Sequence, residues 1–403
     1  MNKRNILAPV LFAVLCVAIP YAEPLKSPSW GFRMDLPEEY KYVSGDNRDR
    51  FSFRTPGGAN FELVVYPPAR QAAYPSAETL AADLKRRLNS SGETTVFEYR
   101  NKKAVLLRLD FSISAAPSTE NRAQNVRLSG WGLCMKLESQ AAGTPLIAAL
   151  AYGDAGKAEL QNLSLSALDS LSPAEGDQRF PGPITEFTYP RGNRVRVCPF
   201  GLQLEAFACE YDSLGAQALV DREFEVLQYS AGKPYWKEAW TRFYRVIYRD
   251  SFSRLSGIAF ALERHWAPGL YPLSAPTAGS GRDQAPPDIA EKALRWVQTF
   301  NYERDLLGSD FVNLVTAAIE GRGDCDSRAM LWAIIIEQAN IPAAIMVSSD
   351  YGHAMGLIDT PGPGARFDWA GKRWLVAETT ASVSLGRIAQ NMSDPAHWLG
   401  IIF

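Results

Sequence analysis

The chain has 403 residues, 46% of them apolar and 21% charged, with 42 Lys+Arg against 44 Asp+Glu and a formal net charge of −2. That length suits two or three domains, each able to bury its own core, and the ordinary composition excludes a disordered, collagen-like or coiled-coil chain. The near-neutral balance gives no general attraction to phosphate backbones or anionic lipid, so no nucleic-acid partner is expected.

Lys3 and Arg4 precede an almost wholly apolar run from Ile6 to Ile19, followed by Pro20, Tyr21 and Ala22. This is the layout of a secretory signal peptide over residues 1–22. The run is shorter than the ~20 residues that span a bilayer, so cleavage is expected rather than a permanent anchor. Cleavage after Ala18 or Ala22 would leave a periplasmic or secreted protein with no membrane span. Cys16 could carry a lipid tether, but the bulky Leu15 before it disfavours that reading. The mature chain keeps Cys134, Cys198, Cys209 and Cys325, too few for a disulfide-built scaffold. Cys198 and Cys209 are close enough in sequence to bridge a hairpin.

Residues 23–175 read as a β-rich accessory domain. Runs at Phe51–Arg54, Phe61–Tyr66, Ala104–Phe111, Val126–Trp131 and Leu146–Tyr152 fit strands. Ser76 can cap a helix through Leu80, Leu84 and Leu88, and a second helix runs through Leu160, Leu163 and Leu168. Three strands, a helix, about four strands and a helix describe an antiparallel sheet with helices packed on it. In that order the region resembles the PsbP-type α/β/α sandwich. It holds no histidine, and Cys134 falls mid-strand as a buried, inert thiol. The Pro/Gly-rich stretch 172–183 marks the boundary with a second domain, residues 176–403.

Beyond the boundary the pattern is helical and aromatic. From Pro234 onward Trp236, Trp240, Phe243, Tyr244 and Ile247 fall on one helical face. Such a stripe can line a groove, but core packing is the expectation. Residues 267–287 are rich in breakers and too long for an ordinary connection, which suits a surface flap. Pro287 then opens a helix burying Ile289, Ala293, Trp296, Val297 and Phe300.

One segment carries chemistry. Gly321-Arg-Gly-Asp-Cys325 leads into Ala329–Ile336, apolar at nearly every position, which demands a helix buried all round. Gly321 and Gly323 permit a tight turn, Asp324 is a good N-cap, and Cys325 falls on the first turn. There the free amides and dipole favour a thiolate, while Asp324 and Asp326 oppose one, so a base is required. Strands are expected at Ala343–Ser348, His353–Ile358 and Arg373–Thr380. That meander lets His353 and Glu378 return to the level of the helix start, giving a nucleophile, a base and an orienting acid.

Gly323-Asp-Cys325, Tyr351-Gly-His353-Ala-Met and Trp374-Leu-Val-Ala-Glu378-Thr-Thr resemble the nucleophile, histidine and acid motifs of the transglutaminase-like branch of the papain fold, over about residues 288–380. The resemblance implies Cys325 as nucleophile, His353 as general base and acid, and Glu378 as its orienter, where the family more often has Asp. It supplies no side-chain oxyanion donor; Trp296 and Asn313 are the candidates, beside the backbone N–H of Cys325.

The expectation is an α+β protein: an antiparallel sheet with packed helices, then a papain-like domain whose buried nucleophile helix meets an antiparallel sheet. It would be an exported cysteine hydrolase, peptidase or acyltransferase acting on peptide or protein amides, without metal or cofactor. The alternative is an inactive envelope module that binds peptide in the same cleft. His265 and His397 read as ordinary surface or packing residues, and a metal site from Asp324, Asp326 and His353 is disfavoured because paired carboxylates at a helix start are usually caps. Arg322-Gly-Asp324 spells an integrin-recognition tripeptide, but it abuts a buried helix. Asp305 and Asp310 could brace the cleft.

Overall fold

The computed structural model describes residues 24–70, 73–114, 125–138, 143–157, 159–268, 288–304 and 309–403. The signal segment with Cys16, most of the proposed flap with Pro287, and Asp305 lie outside the described residues.

A short ladder, β1 (Leu25–Lys26) with β2 (Arg33–Met34), precedes a seven-stranded antiparallel sheet. Its strands are β3 (Lys41–Gly45), β4 (Arg50–Arg54), β5 (Asn60–Tyr66), β6 (Thr94–Tyr99), β7 (Lys102–Ser114), β8 (Asn125–Lys136) and β9 (Leu146–Asp154). The order across the sheet is β3-β4-β5-β9-β8-β7-β6. Alternation along the central strands sends Phe61, Leu63 and Leu133 to one face and Val105, Leu107 and Leu109 to the other. Helix α1 (Ala77–Leu88) covers the second face with Leu80 and Leu84, and Ser76 caps it by accepting the Thr79 N–H at 3.3 Å. Helix α2 (Glu159–Asp169) covers the first face through Leu160, Leu163 and Leu168. The result is the helix–sheet–helix layering expected from the order of elements.

The 172–183 stretch is fastened down rather than loose. Arg33 bridges Ser172, Tyr99 donates to the Pro181 carbonyl at 2.9 Å, and the Arg100 guanidinium lies 3.3 Å over the Phe180 ring. Asp169 caps α3 (Pro183–Thr188) by accepting the N–H groups of Ile184 and Thr185 at 2.8 and 2.9 Å. Ile184 then packs into the core of the sheet unit, so that core reaches past residue 175.

A hairpin, β10 (Arg194–Val197) with β11 (Ala206–Cys209), leads to α4 (Asp212–Gln228), α5 (Trp236–Arg254), α6 (Ser256–Trp266) and, further on, α7 (Asp288–Gln298). The hairpin corrects the disulfide expectation. Val197 pairs with Ala206 at one end and Arg194 with Cys209 at the other, so Cys198 and Cys209 sit at opposite ends of the ladder. Cys209 is level with Arg194, and the four residue steps from there to Cys198 place the two ~13 Å apart along the strand, beyond the ~7 Å a disulfide can span; both are free thiols.

Helix α5 ties the two halves together. Arg242 donates to Glu223 at 2.7 Å, Ser166 at 2.8 Å and the Asp35 carbonyl at 2.6 Å. Arg245 grips Asp35 through two bonds, and Arg249 holds the carbonyls of Asp169 and Leu171. At spacings of three and four these arginines form one row along the helix. At the end of α5, Arg254 is 1% exposed and reaches both Asp250 and Asp212.

The final layer starts with β12 (Asn301–Tyr302), which pairs in parallel with β13 (Arg322–Gly323); α8 (Leu314–Glu320) lies between them. Helix α9 (Cys325–Gln338) follows, buried from Ala329 through Ile336 as its sequence demands. It packs on a five-stranded antiparallel sheet of β14 (Ala343–Ser348), β15 (His353–Ile358), β16 (Arg366–Trp369), β17 (Lys372–Ala377) and β18 (Leu399–Ile401), ordered β16-β17-β15-β14-β18. Gly356 on β15 takes the Trp332 ring; a Cβ there would stand 2.4 Å from it. Helix and histidine-bearing strand therefore approach more closely than any other residue at position 356 would allow.

Candidate active site

Two backbone positions set up the start of α9. Gly321 closes α8 at φ 64, and the Phe200 ring occupies the place of its missing Cβ. Gly323 at φ 155 brings the chain close over Ser327. Asp324 then caps α9, its Oδ1 accepting the Ser327 N–H at 2.8 Å. Arg328, also buried, donates to the carbonyls of Gly323 and Phe300 and pins the turn from below. These contacts bury Asp324, so the integrin-type tripeptide is not displayed.

Cys325 is the first residue of α9 and is 6% exposed. Its sulfur lies within the influence of the backbone N–H groups of Ala354, at the start of β15, and of Asp326, which act to lower its pKa. Its thiol is nonetheless pushed well above the usual range, first by burial, then by Asp326 and Asp324. The resting group is therefore a protonated thiol, and its reactivity depends on a base.

The pairing of Gly356 with Ala377 carries Glu378, one residue past β17, to the face His353 occupies. His353 Nε2 and Glu378 Oε2 are 2.9 Å apart, and Glu378 Oε1 accepts the N–H and hydroxyl of Thr380 at 2.7 and 2.6 Å. Burial raises the Glu378 carboxyl, but the bond and charge of His353, together with Thr380, hold it below the ordinary carboxylate range. With Nε2 committed to Glu378, Nδ1 is the nitrogen left to exchange a proton with the cavity. Trp398 packs edge-on against the imidazole at 6.3 Å and limits its swing.

Cys325 and His353 line one cavity of about 470 Å³, walled by Trp236, Trp240, Tyr302 and Asp326. The three residues expected from sequence are thus gathered at one place. The aromatic stripe of α5 divides between the two readings given to it. Phe243, Tyr244 and Ile247 are core, while the half-buried Trp236 and Trp240 face the cavity. The same two tryptophans also line an adjoining cavity with Trp398 and His397, so the cleft continues past Cys325.

The suggested oxyanion donors are occupied elsewhere. Trp296 Nε1 donates to the Phe200 carbonyl at 2.8 Å, and Asn313 caps α8 while its amide donates to Gln217 and Thr316. Tyr302, which sequence reading passed over, stands in the cavity because β12 runs beside β13, two residues before Cys325. Burial, Cys325 and Asp324 raise its phenol, so it keeps a proton to donate. The signal for it was the short run Asn301-Tyr302 after a buried helix, too brief to read as a strand.

His265 is exposed at the end of α6; His397 is exposed too and is held by Asp350 at 2.5 Å, which raises its pKa. Asp310 pairs with Arg304 on the rim of the cavity. Among the described residues, no three His, Cys, Asp or Glu side chains gather as a metal site.

Asp326 has its carboxyl pushed up to about 7 by burial and by Asp324, with a hydrogen bond from Tyr244 and the charge of His353 opposing. Because its charge in turn raises the Cys325 thiol, Asp326→Asn is expected to lower the thiol pKa and speed alkylation by iodoacetamide about threefold to tenfold near pH 8. The gain should shrink below pH 7, where the native carboxyl is already neutral. A rate indifferent to this substitution across pH 6–9 would disconnect Asp326 from the sulfur.

No family model matches the chain, and no curated protein matches it. Among solved structures it is similar to LpqN of Mycobacterium tuberculosis, described as involved in cell envelope biogenesis, at 8% identity and TM-score 0.26, covering 37% of this chain and 88% of that one. It is similar to the cyanobacterial PsbP (CyanoP) of Synechocystis sp. PCC 6803 at 11% identity and TM-score 0.27, covering 40% of this chain and 98% of that one. A Bacteroides thetaiotaomicron structure matches at 10% identity and TM-score 0.24, covering 58% of this chain and 78% of that one. Among the described residues no helix is long and apolar enough to cross a membrane.

Proposed function

We propose that the chain is an exported, transglutaminase-like cysteine hydrolase or acyltransferase acting on peptide amides. The observation that carries this reading is the part-buried His353–Glu378 pair, at 2.9 Å, facing a cavity shared with a cysteine on the first turn of a helix. The Cys325 proton passes to His353 Nδ1 as the sulfur attacks the amide carbonyl. The developing oxyanion meets the Cys325 N–H and the Tyr302 hydroxyl. The leaving amine takes the proton from His353, and a thioester remains on Cys325. Water, or a second amine, then gives up a proton to His353 and attacks the thioester; the acyl group leaves and the thiol is restored.

The test is turnover of a fluorogenic peptide library, together with amine incorporation into a casein acceptor, by the wild-type chain and Cys325→Ser. Activity in either assay that falls at least ~10³-fold in Cys325→Ser supports the reading. Activity that survives in the variant, or is absent from the folded wild type in both assays, overturns it. A second reading, a peptide-binding module without turnover, draws on the raised Cys325 thiol and its two flanking carboxylates. It is favoured if the wild type binds peptide but leaves it intact.

A further inference from the structure

Beside the middle of α5 and the C-terminal end of α9, another cavity of about 540 Å³ opens on the seam between the sheet unit and the helical unit. From the sheet side it receives Lys26, Arg33, Gln178 and Arg179; from α5 it receives Arg245 and Arg249. Its two carboxylates are already engaged. Asp35 is held by both arms of Arg245, and Glu337 accepts the Tyr248 hydroxyl.

Among the described residues, three buried side-chain nitrogens lack a hydrogen-bond acceptor: Arg33 Nε, Gln178 Nε2 and Arg249 Nε. All three belong to residues lining this cavity. Gln178 is not turned the wrong way round, because its Oε1 accepts the Arg33 Nη1 bond at 2.6 Å. The other nitrogens of these arginines are committed. Arg33 also reaches Glu175, and Arg249 holds the carbonyls of Asp169 and Leu171. A buried donor without an acceptor is unfavourable, and the like-charged guanidiniums gathered around one cavity add repulsion. An oxyanion in the cavity would offset that charge, and a turn of the side chains toward it would bring these nitrogens, shut off from the open space as they stand, an acceptor.

We propose that this cavity is a binding site for a small organic oxyanion, a phosphate or carboxylate, that bridges the two halves of the chain. The volume exceeds that of a bare inorganic ion, and Met34, Tyr248 and Phe403 give it an apolar wall for the rest of the ligand. The ligand would rest on Arg245 and Arg249 of the helix that also carries Trp236 and Trp240, and beside Glu337 near the end of the helix that begins at Cys325. The site stands apart from the chemistry of Cys325.

The experiment titrates the full chain with inorganic phosphate and with citrate at constant ionic strength, using chloride as control and reading melting temperature and binding heat. Saturable binding with a rise in melting temperature is expected for at least one of the two. Vesicles of phosphatidylglycerol in phosphatidylcholine, against phosphatidylcholine alone, show whether a lipid headgroup can supply the same anion. Arg33→Gln combined with Gln178→Leu should weaken binding at least ~tenfold, and Cys325→Ser should leave it unchanged. If the double variant melts far below wild type before ligand is added, Lys26→Ala, on an exposed side chain, replaces it with a loss of about threefold. Absence of saturable binding to every probe, or binding that none of these substitutions at the cavity weakens, overturns the proposal.

Discussion

Replacing His353 by alanine is expected to cost about 10³–10⁴-fold in turnover while leaving the melting temperature close to wild type. The size follows from the thiol. Burial, Asp326 and Asp324 all hold the Cys325 proton in place, so without the imidazole little nucleophile exists at neutral pH. Alkylation of Cys325 by iodoacetamide should then follow the high pKa of the isolated thiol, rising only as solution becomes strongly basic. Glu378→Ala should fall between the two, because it frees the ring to rotate and to hold the wrong tautomer without removing the base. Identical labelling profiles for wild type and His353→Ala would sever the histidine from the sulfur, whatever their proximity.

The largest loss of stability should come from Arg254→Met. Arg254 is 1% exposed and is the common partner of Asp250 and Asp212, both equally buried. Removing it orphans Asp250, while Asp212 keeps Arg191 and the Cys209 N–H. Breaking a buried pair in this way costs about 3–5 kcal/mol, so thermal unfolding should begin roughly 10 °C lower. The cost lies in the stranded carboxylates, so adding Asp250→Asn to Arg254→Met should recover part of it. A double variant no more stable than the single one would place the loss in packing instead.

The elements read most directly from sequence are those whose burial is one-sided or complete. Central strands such as β5 and β9 alternate or run apolar, α1 announces its start through Ser76, and α9 is apolar at every position from Ala329 to Ile336. Within the seven-stranded sheet the two strands left unread, β3 and β6, are its edges, and most of their side chains face solvent. A strand without a buried face leaves no period-2 signature. Position along the chain brought Cys325, His353 and Glu378 together because each sits at an element end within one helix–meander unit. Tyr302, Trp236 and Trp240 are long-range walls of the same cavity, placed by β12–β13 pairing and by the packing of α5, and local pattern carries little of that. The disulfide reading failed for a related reason. Closeness in sequence says nothing of register, and a hairpin can hold nearby cysteines at its two opposite ends.

The arginine row of α5 bears on how the chain can be divided. Arg242, Arg245 and Arg249 point into the sheet unit, while Trp236 and Trp240 on the same helix wall the cavity that holds Cys325. A fragment beginning at residue 176 would send the guanidiniums of Arg245 and Arg249 into water, leave Arg242 with Glu223 alone, and loosen the rod on which two cleft walls are mounted. The front half is thus a splint for the back half, and the natural unit for expression, inhibition or inheritance is the pair.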